Sequence, residues 1–281
     1  MNESCSIQEL KGYFNGEFNS GIDSYFKKFQ SSGVGFFTNQ PELFIPVGTD
    51  YEVPFNVTNA IIEISDEYDY KRVFEALSDM STHSLQIRFA RHYDEEVILN
   101  ILDFVYMCKF RFVDVLVNAE HMNEKSVMSI VNYSKFFDRL TVYNCIASGV
   151  HKKSSFVERP LKEGMLASMN FDRIFVSRRF FFEGTQKNPA FNKKVFVDSN
   201  GDIKNEVSHK RKFGNVKTNN ISDVYNSIEF RRIWQISRNK IDKCSTCVFR
   251  FCCTFGSDVI TYGADSHKLR LDCGVDEWHH S

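Results

Sequence analysis

Glycine and proline are scarce in this chain, at 14 and 5 of 281 residues. That scarcity excludes collagen-like and low-complexity classes. With 28 phenylalanines it points to regular, aromatic-rich packing. An excess of one charge is missing too: 35 Lys and Arg face 36 Asp and Glu, so no nucleic-acid or membrane footprint is visible. No apolar run approaches the ~20 residues needed to span a bilayer. Met1-Asn2-Glu3-Ser4-Cys5 has no basic stretch leading into an apolar one, so no signal peptide is read and a reducing cytoplasm is expected. Nucleophile–base motifs, phosphate loops and H-E-x-x-H are absent as well. What remains is a globular chain of one large or two ordinary domains.

The cysteines are the feature that is present. Cys244, Cys247, Cys252, Cys253 and Cys273 lie at the end of the chain. The spacing Cys244-x2-Cys247-x5-Cys253 suits a thiolate metal site, because a C-x2-C turn presents two sulfurs on one side of a tight loop. Cys273 is the expected fourth ligand. Cys252 points away from Cys253 and reads as a packed thiol, the main competitor for a ligand place. A 4Fe–4S cluster and Zn2+ both accept four cysteines, and clustered cysteines in a reducing setting bind metal more often than they pair.

Ahead of this cluster runs a repeat. Apolar stretches recur every 25 to 28 residues: Asn59–Ile64, Ser84–Phe89, Phe112–Val117 and Arg139–Cys145. Helical patterns follow the first three, at Tyr70–Met80, Asp94–Lys109 and Asn123–Phe137. Alternation at this interval predicts right-handed βαβ units and a parallel sheet, with too few units to close an eight-stranded barrel. The fold class expected is therefore α/β, a partial open βα barrel. Gly35-Phe36-Phe37 and Asp172–Val176 are candidate edge strands.

After Gly184 the pattern changes. Lys193–Lys204 reads as a hairpin around Ser199-Asn200-Gly201, and Asn219–Asn239 as a helix capped by Ser222. The cysteine segment then completes a module separate from the repeat.

The run Val195–Val216, the helix ending in FRRIWQISRNKI and CSTCVFRFCCTFG (Cys244 to Gly256) together resemble a SPASM domain. They look most like the SPASM-domain peptide maturase of grasp-with-spasm systems. Cys273-Gly274 and the runs NAIIEI and LQIRF fit the same family. The resemblance implies a degenerate radical-SAM-like partial barrel over 1–184 and a SPASM-like metal-binding domain over 185–281. It also implies a role in maturing a ribosomally made peptide, with a precursor peptide and an ATP-grasp ligase as partners. Neither nucleic acid nor membrane is expected as a partner. The alternative is a non-catalytic scaffold with a structural metal.

Three departures from the family pattern matter. The signature C-x3-C-x2-C is absent, since only Cys5 precedes Cys108, so no S-adenosylmethionine cluster is expected. Thr254-Phe255-Gly256 supplies no cysteine just beyond Cys253. Upstream of Phe213-Gly214-Asn215, where many SPASM domains place a cysteine, stand Glu206, Val207, Ser208 and His209. One metal site is expected where SPASM domains often hold two clusters.

Other residues carry weaker expectations. His209 is an alternate ligand, but its surroundings read as a solvated basic turn with Ser208, Lys210, Arg211 and Lys212. His267 is a second alternate, in a loop where histidines are usually solvated. Cys108 and Cys145 read as buried small hydrophobes, and Phe180-Phe181-Phe182 as a buried strand or a partner-facing patch. Arg91, His92, His121 and His151, in loops after the strands, are the candidate peptide-binding residues, since parallel sheets present ligands at their carboxyl ends. His279 and His280 read as a frayed tail.

Overall fold

The computed structural model describes residues 6–13, 15–33, 37–40, 53–133, 137–146, 148–151, 153–158, 174, 177–263 and 266–274. Two units can be separated, residues 1–50 and 51–281. The first contains helices α1 (Ile7–Tyr13) and α2 (Asn19–Ser31). Nothing in them is buried, although Tyr25 and Phe29 stack at 4.8 Å.

The second unit is built on a nine-stranded sheet. Four parallel strands carry the repeat: β1 (Val57–Glu63), β2 (Thr82–Phe89), β3 (Phe112–Asn118) and β4 (Arg139–Tyr143). Helices α3 (Tyr70–Asp79), α4 (Glu95–Met107) and α5 (Glu124–Asn132) connect them. Asp69 and Asn123 cap α3 and α5 through side-chain oxygens. Beyond β4 come β5 (Gly149–His151), at the edge, and β6 (Ser154–Val157), parallel to β4. The ends of the sheet order do not pair, so no closed barrel forms among the described residues.

On the other side of β1 lies β7 (Lys194–Val197), again parallel, followed by antiparallel β8 (Asp202–Lys204) and β9 (Gly214–Asn215). Gly201, at φ 85°, makes the expected turn between β7 and β8. The hairpin thus extends the main sheet, and the division expected after residue 184 falls within one compact unit.

One sheet face is apolar. Ala60, Ile62, Leu85, Ile87, Val115 and Val142 join Phe74, Leu77, Ile101 and Ile130 in a single buried cluster. Alternation sends the intervening residues to the opposite face, and these are largely polar.

Three expected elements differ. The helix over Asn219–Asn239 is broken: Asn220 caps α7 (Ile221–Asn226), and Ser227 caps a separate one-turn α8 (Ile228–Arg231). Ser222 is not the cap; its N–H donates to Asn220. Phe180-Phe181-Phe182 lies in neither a strand nor a uniform patch but in α6 (Arg178–Gln186), started by Ser177, whose hydroxyl accepts from Phe180. Of the candidate edge strands, Gly35, Phe36 and most of Asp172–Val176 lie outside the described residues, while Ile174 forms an isolated bridge with Cys253. No described helix is long and apolar enough to cross a membrane.

Candidate functional site

The cysteine segment hangs from two anchors. Helix α9 (Asp242–Ser245) carries Cys244, and Cys247 N–H donates back to the Cys244 carbonyl at 3.1 Å, closing the C-x2-C turn. Helix α6 is the second anchor. Gly184 packs so closely on the Phe251 backbone that a Cβ there would lie 2.7 Å from the Phe251 Cα. Cys273 is brought alongside by Asp272, which Lys243 of α9 engages at 2.5 Å.

Within this segment Cys244 and Cys253 are buried and Cys247, Cys252 and Cys273 half-buried. Burial pushes the Cys244 thiol up, the nearby Arg238 guanidinium opposes this, and charge on Cys253 or Cys273 would raise it further. Three of the four expected ligands are thus electrostatic neighbours. They are not drawn into a closed set: among the described residues no three His, Cys, Asp or Glu are arranged to hold a metal ion. Burial also raises the Cys252 thiol, against a backbone hydrogen bond from Ser177.

The donors around the sulfurs suit thiolates. Phe255 N–H donates to Cys253 Sγ at 3.4 Å, and Arg238 Nη1 to Cys244 Sγ at 3.8 Å. Arg238 is fully buried, its Nη2 donates to the Phe255 carbonyl, and its Nε has no partner. No carboxylate pairs with it among the described residues. A buried cation without a counter-charge is costly, and an anionic thiolate-ligated group beside Cys244 would balance it. By donor chemistry, this environment fits an iron–sulfur cluster.

His209 and His267 are not solvated, contrary to expectation. His209 is 3% exposed, stacks on Phe191 at 4.8 Å, and is pushed down to about 4, chiefly by burial. The polypeptide that covers this turn comes from far along the chain: Ser208 Oγ donates to the Gly256 carbonyl at 2.9 Å, and Gly256 sits against the Glu206 side chain. His267 is buried in β11 (His267–Leu269), which pairs with β10 (Val259–Thr261), and its Nδ1 contacts Thr261 Oγ1 at 3.0 Å. Cys108 and Cys145 are half-buried, after α4 and β4.

A second cluster lies on the polar sheet face, and the candidate residues chosen from the loops missed it. Register aligns Ile61, Gln86, Asp114 and Arg139 across β1 to β4. Gln86 Nε2 donates to Asp114 at 2.8 Å, and Arg139 grips the same carboxylate at 3.1 and 2.8 Å. One row on, Glu63 stands beside Arg88 at 4.0 Å. Burial pushes the Glu63 carboxyl up and the Arg88 guanidinium down, each partly offset by the other. Burial also raises the Glu206 carboxyl, which the Arg88 and Lys194 charges oppose. Glu63 also marks the reversal of strand order, between β2 and β7, and accepts from Ser199 N–H at 3.2 Å. Open parallel sheets place ligands at such a point. The signal for this cluster was present in sequence: NAIIEI, SLQIRF and FVDVLV alternate, whereas a strand buried on both faces would be apolar throughout.

Of the candidate peptide-binding residues, Arg91 and His92 are exposed after β2, with His92 3.6 Å from Asp94. His121 lies in the short 3-10 turn Ala119–His121 after β3. His151 does not join them. It ends antiparallel β5 opposite Ser154, which pairs with Leu140, so it sits toward the amino ends of the parallel strands. The structure therefore corrects the expectation that the four share one mouth. His279 and His280 lie outside the described residues.

With this geometry in place the comparisons can be read. Residues 189–248 match the SPASM family, an iron-sulfur cluster-binding domain. That SPASM match takes in Cys244 and Cys247 and stops short of Cys253 and Cys273. Among solved structures the chain is similar to BtrN in an open conformation, at 15% identity and a TM-score of 0.40, over 68% of this chain and 92% of that one. It is also similar to SuiB of Streptococcus suis, at 13% identity and a TM-score of 0.38, over 90% and 88%. No curated protein matches.

Proposed function

We propose that Cys244, Cys247, Cys253 and Cys273 hold a 4Fe–4S cluster, and that the chain serves in maturation of a ribosomally made peptide. The observation that carries the cluster is Arg238, buried without a carboxylate beside Cys244. The SPASM match over 189–248 supports iron rather than zinc. When bound, such a cluster supplies negative charge and one-electron redox capacity. Arg238 and the Phe255 N–H orient and stabilise the thiolates that receive it.

In this reading the peptide is a precursor, taken up beside the polar sheet face and passed to an ATP-grasp ligase. Support for a peptide comes from two neighbouring charged pairs on the polar sheet face, Glu63 with Arg88 and Asp114 with Arg139, which offer an extended chain side-chain partners of both signs. Reductive cleavage of S-adenosylmethionine is not part of the proposed activity, because the sequence lacks C-x3-C-x2-C.

The test is anaerobic purification followed by iron and acid-labile sulfide analysis, with calorimetry against a precursor peptide encoded beside the gene. Iron and sulfide together with peptide binding are expected. Zinc in their place, without peptide binding, would favour the non-catalytic scaffold with a structural metal.

A further inference from the structure

A cleft of about 330 Å³ lies outside both clusters, between the β8–β9 connection, α8 with its following turn, and the β10–β11 hairpin. That volume is at the lower end of the range for small-molecule sites, ~300–1,000 Å³. Four apolar side chains in its lining are left half-buried by the fold: Phe213, Ile233, Ile236 and Val259. The same lining carries charge. Arg211 and Arg232 are exposed, and neither has an ion-pair partner among the described residues. The Arg211 guanidinium lies over the Phe213 ring at 4.6 Å, which holds one cation directly at the apolar wall. Arg270 is engaged by Asp258 at 3.3 Å, and Glu229 is the other acid present. His209, pushed down to about 4 chiefly by burial, is neutral near pH 7. Three guanidinium groups against two carboxylates leave the cleft with one net positive charge.

We infer that this cleft binds a small organic monoanion, its carboxylate at Arg211 and Arg232 and its apolar body against Phe213, Ile233, Ile236 and Val259. Guanidinium groups alone accept any anion, so the wall decides the class. Covering half-exposed apolar side chains stabilises a ligand with a hydrocarbon or aromatic body and gives nothing to an inorganic ion. The single net charge decides the valence: one carboxylate is balanced, and a second negative group would meet Glu229 and Asp258 without a free cation. The volume has room for a ring with a short chain rather than for a length of polypeptide. This site is separate from the cysteine segment and the sheet face, and it goes beyond the proposed peptide-maturation role without resting on it.

Ligand-observed NMR titration of the full-length, anaerobically prepared protein tests it. The probes are 4-phenylbutyrate, the uncharged 4-phenylbutanol, butyrate without the ring, inorganic phosphate, and a tetrapeptide ending in phenylalanine. 4-Phenylbutyrate should bind roughly tenfold or more tighter than the alcohol, the margin of a charge-assisted hydrogen bond, and roughly tenfold or more tighter than butyrate, the margin of a buried ring. The double variant R211E/R232E should lose the preference for acid over alcohol. I233S should weaken the two phenyl compounds alike, and K125E, a charge reversal on α5, should bind as wild type. Acid and alcohol binding equally, phosphate displacing 4-phenylbutyrate beyond a salt-matched chloride control, or R211E/R232E binding unchanged overturns the inference. So does a tetrapeptide that binds tighter than the free acid, which would assign the cleft to a chain end, and so does the failure of 4-phenylbutyrate to bind at about 10 mM. The readings fail separately: selection of 4-phenylbutyrate by a protein that binds no precursor peptide leaves this site standing and removes the maturation role.

Discussion

Arg238 and Cys244 meet beside the cysteine segment: the guanidinium Nη1 lies 3.8 Å from the sulfur, and no described carboxylate lies within ion-pair distance of it. A buried cation that loses its counter-charge destabilises a fold by about 3–5 kcal/mol. Stripping metal with a chelator should therefore lower the melting temperature of the wild type. In R238M the loss should be clearly smaller, because the uncompensated charge is gone. Thermal unfolding of both proteins, with and without chelator, checks this; equal losses would mean that Arg238 does not sense the site.

Gly184 is the close packing contact between α6 and the cysteine segment. Adding one methyl as G184A drives a Cβ into the Phe251 backbone, and backbone cannot yield as a side chain can. The expected cost is about 1–3 kcal/mol, the range for overpacking a tight contact. Metal content should fall with it, measured by elemental analysis alongside urea unfolding.

Asp114 receives Gln86 and both contacts from Arg139, and is itself buried. D114A leaves those donors unmatched and should cost about 2–3 kcal/mol, within the range for orphaned partners of a buried charged group. Arg139 is half-exposed and regains water, so the loss stays below that of a fully enclosed pair. D114N, which keeps one acceptor, should lose less. Urea titrations of the three proteins decide.

Much of this architecture was legible in sequence. The period-two runs and the helical spacings between them set β1 to β4 and their helices, because each of those signals is local. The misread burial involves distant chain, and the misread helix a local cap. Glu206 to His209 looked like a solvated basic turn because Lys210, Arg211 and Lys212 follow it. The segment around Gly256 buries it, some fifty residues on. Ser227 breaks the helix after Asn226 by capping α8, although the apolar spacing runs through it unbroken. Arg238 carried no sequence signal at all, since its role appears only when Phe255 and Cys244 close around it.

The buried His209 makes stability depend on pH. Burial pushes it down to about 4, while an unfolded histidine titrates near ~6.5. Between those values the unfolded chain takes up a proton that the folded one refuses. Stability is thus fully present above ~6.5 and declines as pH falls toward ~4, by about 3 kcal/mol at most. Denaturant melts across that window should show the slope in wild type and little of it in H209Q. An unchanged slope in the variant would assign the effect to other groups.

The most direct test of the account is the metal content of the anaerobically purified protein and of C244S and C253S. The account predicts iron with matching acid-labile sulfide in the wild type, and its loss from both variants along with a lowered melting temperature. A folded, monodisperse wild-type protein containing neither iron nor sulfide would contradict it.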